Sequence, residues 1–417
     1  MTPAAFVPLC PDPICPKPCP ALGGSVLWGK GAKSPLAGNG GKTHADGTGR
    51  RGLAAFSGFW GTERIRRPLC RRERDAMYEK MCSFQNLYKA HKAARRGKRG
   101  KTEVIRFEMN LAENLCALQQ ELENKTYRPH GYKHFMVYEP KARSIFAPDY
   151  ADRVVQHCLC DNIVMPMLEP RLIYDNAACR KGKGTHFSLD RLSGFMRELY
   201  RHHGAEGYFL KCDIRKYFKN IDHDLLKAKL AKVFCGDVYN LLCLIIDSYE
   251  ISKGVGLPLG NQVSQWFALY YLDSVDRLIK EKLQVKYYVR YMDDFILLHH
   301  DKEYLRTCLD KIHQFCCDEL NLELNEKTQI FPLKNGVNYL GWNFYLTETG
   351  KVIQKLRTSN KSRLKRRLKL LQKDYKYGLI DFDAVKRSLV STHGHLIHGH
   401  TYRLRVKLYS NAVFSRS

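Results

Sequence analysis

The sequence predicts an α+β fold, one sheet backed by helices, and three stretches carry that expectation. Residues 207–214 (Gly-Tyr-Phe-Leu-Lys-Cys-Asp-Ile) alternate and end in an acid, the period-2 pattern of a half-buried strand. Residues 285–298 hold two apolar runs, Val285–Tyr291 and Phe295–Leu298, joined by a tight turn of Met292, Asp293 and Asp294. Trp266, Leu269, Tyr270, Leu272 and Asp273 recur at helical spacing before that pair. Leu305, Leu309, Ile312 and Phe315 do so after it.

The other elements follow in chain order. Residues 1–76 carry Pro8, Pro11, Pro13, Pro16, Pro18 and Pro20, then a Gly/Ala/Ser/Thr stretch, then a cluster of arginines. With no sustained period of 2 or 3.6, this segment is expected to pack little, and Met77 reads as a natural start behind an upstream extension. Cys10, Cys15 and Cys19 are too loosely spaced to make a metal site. Leu87, His91 and a basic run from Lys89 to Lys101 fit a helix ending at Gly97. Leu111, Leu115, Leu118 and Leu122 fit one face of a second helix over residues 103–124. Near the C-terminus Leu364, Leu368, Leu371 and Tyr375 form a stripe, with Arg363, Arg366, Arg367, Lys369 and Lys373 mostly off it. One face of that helix packs and the other is positive.

Composition narrows the class of function. In 417 residues, 44% apolar content supports a sizeable core and excludes a wholly disordered chain. The formal net charge of +27 points to a polyanionic partner, nucleic acid before an anionic membrane surface. No apolar run has the length of a membrane span, and no secretory signal is visible at the N-terminus. The 15 cysteines are scattered without a disulfide framework, as expected for reduced thiols in a cytoplasm. His299, His300 and His313 read as structural, and Cys158, Cys160, Cys316 and Cys317 as buried thiols.

The acids carry the chemistry. A lone aspartate is ordinarily a cap or turn residue. Asp213 at a strand end and Asp293–Asp294 in a nearby hairpin turn, however, can meet at one edge of a sheet. Three carboxylates together repel unless a cation neutralises them, and hard oxygen ligands select Mg²⁺ or Mn²⁺. Two such ions about 3.5–4 Å apart stabilise both the attacking and the leaving oxygens of a phosphoryl transfer.

Six strings in order give these acids a context. Tyr291-Met292-Asp293-Asp294 between β-rich runs resembles the catalytic turn of reverse transcriptases. Lys211-Cys212-Asp213-Ile214-Arg215-Lys216-Tyr217-Phe218-Lys219-Asn220-Ile221-Asp222-His223 resembles the first catalytic block of the retron and group II intron type. Arg143 to Pro148 with Asp152 to Gln156, and Arg180 to His186, are similar to the two fingers blocks. Leu324 to Thr328 and Asn338 to Trp342 are similar to the last two. Where most bacterial relatives carry Gln-Gly-x-x-x-Ser-Pro, this chain has Leu259-Gly260-Asn261-Gln262-Val263-Ser264-Gln265. That variant resembles the reverse transcriptases of diversity-generating retroelements, which copy a template-repeat RNA with errors opposite adenines for mutagenic retrohoming into a target gene.

The resemblance implies a right-hand polymerase: fingers over residues 77–206, a ferredoxin-like palm over 207–345 with a fingers insertion at about 226–256, and a short basic helical thumb over 346–417. It implies that Asp213, Asp293 and Asp294, with the Ile214 carbonyl, hold two Mg²⁺ ions, Mn²⁺ being a substitute, and act on dNTPs. Arg143, with Lys141 beside it, would grip the triphosphate. Phe218 would stand at the steric gate against a ribose 2′-hydroxyl. Leu259, Gly260 and Gln265 would line the nascent pair, and Lys327 would sit near the pyrophosphate. Tyr339 to Trp342 would form the primer-grip turn. Leu259 cannot make the hydrogen bond of a Gln, which suggests relaxed selection between nucleotides. Expected partners are template RNA, the RNA–cDNA duplex and a small basic pentameric accessory protein, with no membrane. The alternatives are a retron or phage-defence enzyme, and a non-catalytic RNA-binding scaffold, against which the intact acids argue.

Overall fold

The computed structural model describes residues 71–138 and 142–416. The expectations for residues 1–70, with Cys10, Cys15 and Cys19, and for Lys141 lie outside the described residues. The first described element, helix α1 (Arg71–Cys82), begins ahead of Met77, and α2 (Phe84–Ala94) follows it. α2 stops at Ala94, short of Gly97, which turns the chain with φ +71°. The single helix expected over 103–124 is two, α3 (Thr102–Met109) and α4 (Leu111–Glu123), broken where Asn110 leaves helical geometry at φ −124°, ψ 47°. Val104, Phe107 and Leu111 keep helical spacing across that break, so periodicity alone does not reveal it.

Strands β1 (Tyr132–Val137) and β2 (Arg143–Pro148) form an antiparallel hairpin. It leads into α5 (Tyr150–Leu159), whose first turn is capped by Asp149 accepting from the Ala151 N–H at 3.1 Å. The short α6 (Met165–Leu168) and the long α7 (Thr185–His203) come next.

The central sheet comes from β3 (Tyr208–Asp213), β4 (Tyr287–Tyr291), β5 (Asp294–His299) and β6 (Gln329–Pro332) in the order β4-β5-β3-β6, all neighbours antiparallel. Between β3 and β4 lie α8 (His223–Ala231), α9 (Gly236–Asp247), α10 (Gln262–Tyr271) and α11 (Asp273–Arg277). α12 (Lys302–Leu320) lies between β5 and β6. Strand, crossover, hairpin, crossover, strand with that order is the ferredoxin-like topology. The expected strand-turn-strand and both flanking helices are present, with Asp294 as the first residue of β5 rather than a turn residue.

Alternation along β3 separates two cores. Leu210 and Cys212 face a core shared with Trp266 and Phe267 of α10 and with Leu305, Ile312 and Cys316 of α12, so both crossovers cover one face. Phe209 faces the other, with Val289, Ile296 and Leu298, under Leu192 and Met196 of α7. On that second face the apolar Phe209 gives way to Lys211 and then Asp213, so one end of the sheet is left polar.

A second sheet, β7 (Val337–Tyr339), β8 (Trp342–Leu346) and β9 (Val352–Leu356), packs on the same second core. Helices α13 (Thr358–Lys376), α14 (Phe382–Leu396) and α15 (Tyr402–Tyr409) end the chain. On α13 the stripe of Leu364, Leu368, Leu371 and Tyr375 is half-buried while Arg366, Arg367, Lys369 and Lys373 are exposed, as the spacing predicts. The cysteines among the described residues are free thiols; Cys158, Cys160 and Cys316 are buried and Cys317 half-buried. Among the described residues no helix is long and apolar enough to cross a membrane.

Candidate active site

The polar end of the sheet gathers the acids. In the β3–β5 register Asp213 stands directly opposite Asp294, where Cα atoms of antiparallel partners lie about 4.5–5.5 Å apart. Asp293 precedes Asp294 in a two-residue loop, because Tyr291 pairs with Asp294 across the β4–β5 hairpin. Met292, the first loop residue, has φ 58°. A two-residue hairpin of this kind needs a left-handed residue there, ordinarily glycine.

Electrostatics agree with the proximity. Burial and the Asp213 charge push Asp293 up to about 6, against the opposing pull of Arg143 and Arg290. Burial also pushes Asp294 up to about 6, with Lys211 pulling the other way. Asp294 Oδ1 is buried without a hydrogen-bond partner. Among the described residues no three His, Cys, Asp or Glu side chains stand ready to hold a metal ion together. The chemistry of the set nonetheless suits one: all-oxygen donors, an orphaned carboxylate oxygen, and acids whose charged forms are disfavoured first by burial and then by mutual repulsion.

Backbone pairing brings the other expected residues to the same end. Asp213 O accepts from Asn325 N at 2.7 Å and Glu323 O accepts from Arg215 N at 2.9 Å, so the loop carrying exposed Lys327 is pinned to the end of β3. Neither bond uses the Ile214 carbonyl. Half-buried Phe218 has its carbonyl bonded to Leu257 N at 2.7 Å, and Leu259 O accepts from Phe146 N at 3.0 Å. Those two bonds tie the turn after β3 to the β1–β2 hairpin, whose exposed Arg143 lies near enough to act on Asp293. Gly260 permits that approach. Its φ is +120°, and a Cβ there would stand 3.1 Å from Ile145 Cγ2. Gln265 Oε1 accepts from the Cys179 thiol at 3.2 Å. Tyr339 is buried with its hydroxyl 2.7 Å from Ser188 Oγ, and Leu340 and Gly341 turn the β7–β8 hairpin with positive φ.

Two charged residues in this region escaped the sequence reading. Lys211 Nζ lies 3.3 Å from Asp294 Oδ2 and donates to Asn338 O at 2.7 Å. Its position two residues before Asp213 on one strand face was the available signal. Arg290, wholly buried, ion-pairs with equally buried Asp276 at 2.5 Å. Nothing local in the sequence announces that pair.

With this geometry in hand, residues 139–344 match the family model described as reverse transcriptase (RNA-dependent DNA polymerase). This segment is a reverse transcriptase domain. The match takes in all six strings that carried the resemblance. A search of curated proteins finds no match. Among solved structures the chain is similar to the apo telomerase of Candida tropicalis truncated from its C-terminal domain, at 16% identity and a TM-score of 0.42, over 54% of this chain and 55% of that one. It is also similar to Candida tropicalis telomerase in complex with a TWJ fragment of telomeric RNA (14%, TM-score 0.42, 54% and 44%). The corresponding Candida albicans complex gives 13% identity and a TM-score of 0.41, over 60% and 50%. The chain spans about half the length of these telomerase chains.

Proposed function

We propose that the chain extends a primer 3′-hydroxyl on an RNA template, and that it serves an error-prone, diversity-generating retroelement. The observation that carries the polymerase reading is the pairing of Asp213 with Asp294 beside the Met292–Asp293 loop. In the reaction, the primer 3′-hydroxyl gives up its proton to solvent and its oxygen forms a bond to the α-phosphorus of a dNTP. The α–β phosphorus–oxygen bond breaks and pyrophosphate leaves with its electron pair. Asp213, Asp293, Asp294 and the Ile214 carbonyl would hold two Mg²⁺, or Mn²⁺ in their place, which when bound supply Lewis-acid stabilisation to both oxygens.

The remaining roles belong to this chain's own side chains. Arg143 and Lys141 hold the triphosphate, and Lys327 donates a proton or a positive field to the leaving pyrophosphate. The Phe218 ring excludes a ribose 2′-hydroxyl. The fingers would be residues 77–206, the palm 207–345 and the thumb 346–417, whose exposed lysines and arginines hold the RNA–cDNA duplex by its phosphates. The diversity-generating assignment is supported by Leu259 and Gln265, which stand where most bacterial relatives carry Gln and Pro. By the same resemblance the chain would work with a small basic pentameric accessory protein on a template-repeat RNA.

Primer extension on an RNA template tests the polymerase reading. The chain should make cDNA, and Asp293→Ala should make none while binding RNA as well as the parent. Full synthesis by Asp293→Ala would reject it.

A further inference from the structure

The catalytic reading leaves unexplained how a methionine is held in a glycine conformation at the head of the acid pair. Met292 at φ 58° carries backbone strain, as any side-chain-bearing residue does in that region. Such strain persists only where surroundings over-determine it. One side chain does so here. The Arg290 guanidinium donates Nη1–H to Met292 O at 3.0 Å. Three of its other four donors are committed to rigid elements: Nε to Asp276 Oδ1 at 2.7 Å, Nη2 to Asp276 Oδ2 at 2.5 Å and to Leu269 O at 3.1 Å. Asp276 is fixed in turn by the Tyr288 hydroxyl at 2.6 Å. Arg290 and Asp276 are both fully buried.

The backbone of Arg290 is engaged as well. Its N–H donates to Asp175 O at 3.1 Å and its carbonyl accepts from Ala177 N at 3.0 Å, so the segment before Arg180 lies along β4 as an added edge. Half-buried Arg191 holds Asp175 at 2.5 Å. One buried arginine, by guanidinium and backbone together, thus joins α10, α11, residues 175–177 and the loop that bears Asp293.

We propose that Arg290 is a positioning residue for polymerisation: anchored on Asp276, it clamps the Met292 carbonyl and so fixes the left-handed loop that aims Asp293 and Asp294. This rests on the catalytic reading of those acids. It differs from a purely structural role. A buried ion pair can often be replaced by apolar residues of similar volume without loss of stability, whereas the clamp on Met292 O cannot be replaced that way.

The experiment measures single-nucleotide primer extension by the full chain on an RNA template with a DNA primer and Mg²⁺. It reads kcat, KM for the dNTP, duplex Kd and Tm. The triple variant Asp276→Leu/Tyr288→Phe/Arg290→Met removes the pair and leaves no hydroxyl stranded. It should melt near the parent and keep KM and Kd, yet lose about 100-fold in kcat, the scale of a small misplacement of reacting groups. A folded triple variant at the parental kcat overturns the proposal.

Should the triple variant fail to fold, Arg290→Lys decides, because it keeps the charge but loses the planar fork. It should lose about 10-fold in kcat. Adding Met292→Gly should recover most of that, since glycine adopts the loop without strain. An unrescued loss overturns the proposal. Asp293→Asn runs in parallel. If it polymerises at the parental rate, the catalytic reading falls and this inference with it; if it is dead while the triple variant is fully active, only this inference falls.

Discussion

Lys211 Nζ lies 3.3 Å from Asp294 Oδ2, so the acid end of the sheet carries a built-in counter-cation. Both side chains are about three-quarters buried, 24% and 25% exposed, which keeps the pair from being fully screened. The same ammonium donates to Asn338 O on β7, linking the acids to the hairpin of Tyr339 to Trp342.

Lys211→Met leaves Asp294 half-buried without that charge. The metal-free variant should melt lower than the parent, and a fixed excess of Mg²⁺ should raise its Tm by more than it raises the parent's, because loss of the competing ammonium tightens the ion's binding and stabilisation grows with affinity. Thermal melts with and without Mg²⁺ check this. Equal Mg²⁺ shifts in the two proteins would count against Lys211 acting on the acid site.

The acids also set a pH dependence. Asp293 and Asp294 titrate at about 6 in the folded chain, whereas carboxylates in unfolded chains titrate near ~4. Between those values the folded state binds more protons, so through these groups stability is gained as pH falls from 7 towards 4 and lost as it rises. Asp293→Asn lacks its share. In chelator-treated protein the variant should be the more stable at pH 7, and that advantage should vanish near pH 4.5. Urea titrations at both pH values measure it, and a pH-independent difference would be the contrary result.

Removing one partner of the buried pair should be costly. Asp276→Ala strands the Arg290 guanidinium away from water and is expected to lose roughly 3–5 kcal/mol. Glu303→Ala, which breaks the exposed Arg306 pair on α12, should lose less than about 0.5 kcal/mol. Denaturant unfolding of the two variants side by side makes the comparison.

Gly260→Ala places a Cβ 3.1 Å from Ile145 Cγ2 at a φ of +120°. The strain, about 1–3 kcal/mol, falls on the contact between Leu259 and the β2 strand that begins with Arg143. The KM for dNTP should rise severalfold with duplex affinity unchanged, as steady-state extension kinetics would register.

Leu259→Gln tests the fidelity reading. The Leu259 carbonyl is already bonded to Phe146 N, so the substitution changes the side chain while keeping the backbone tie. A Gln restores a donor and acceptor near the nascent pair. Misincorporation opposite template adenine should fall severalfold when cDNA is sequenced, and an unchanged error spectrum would detach low fidelity from this position.

Much of this site was legible because its signals are local. The alternation of residues 207–214 and the paired apolar runs flanking Met292 gave β3, β4, β5 and the loop, and the acids follow from where those strands end. What escaped depends on partners distant in the chain. Lys211 meets Asp294 only through the β3–β5 register, its place on the strand face of Asp213 being the one local signal, and Arg290 meets Asp276 across a turn between helix and strand, with nothing in the spacing to mark it. The break at Asn110 was invisible because Val104, Phe107 and Leu111 keep helical spacing through it. Strand β9 is short and follows a Thr-Glu-Thr-Gly turn within a stretch otherwise read as helical thumb.

The most direct test of the central claim counts ions. Equilibrium binding of Mn²⁺, read by its free-ion electron paramagnetic resonance signal, should be measured with primer–template and a non-reactive dNTP analogue present. Two tight ions per chain are expected in the parent, with loss of tight binding in both Asp213→Ala and Asp293→Ala. Parental Mn²⁺ binding by either variant would contradict this.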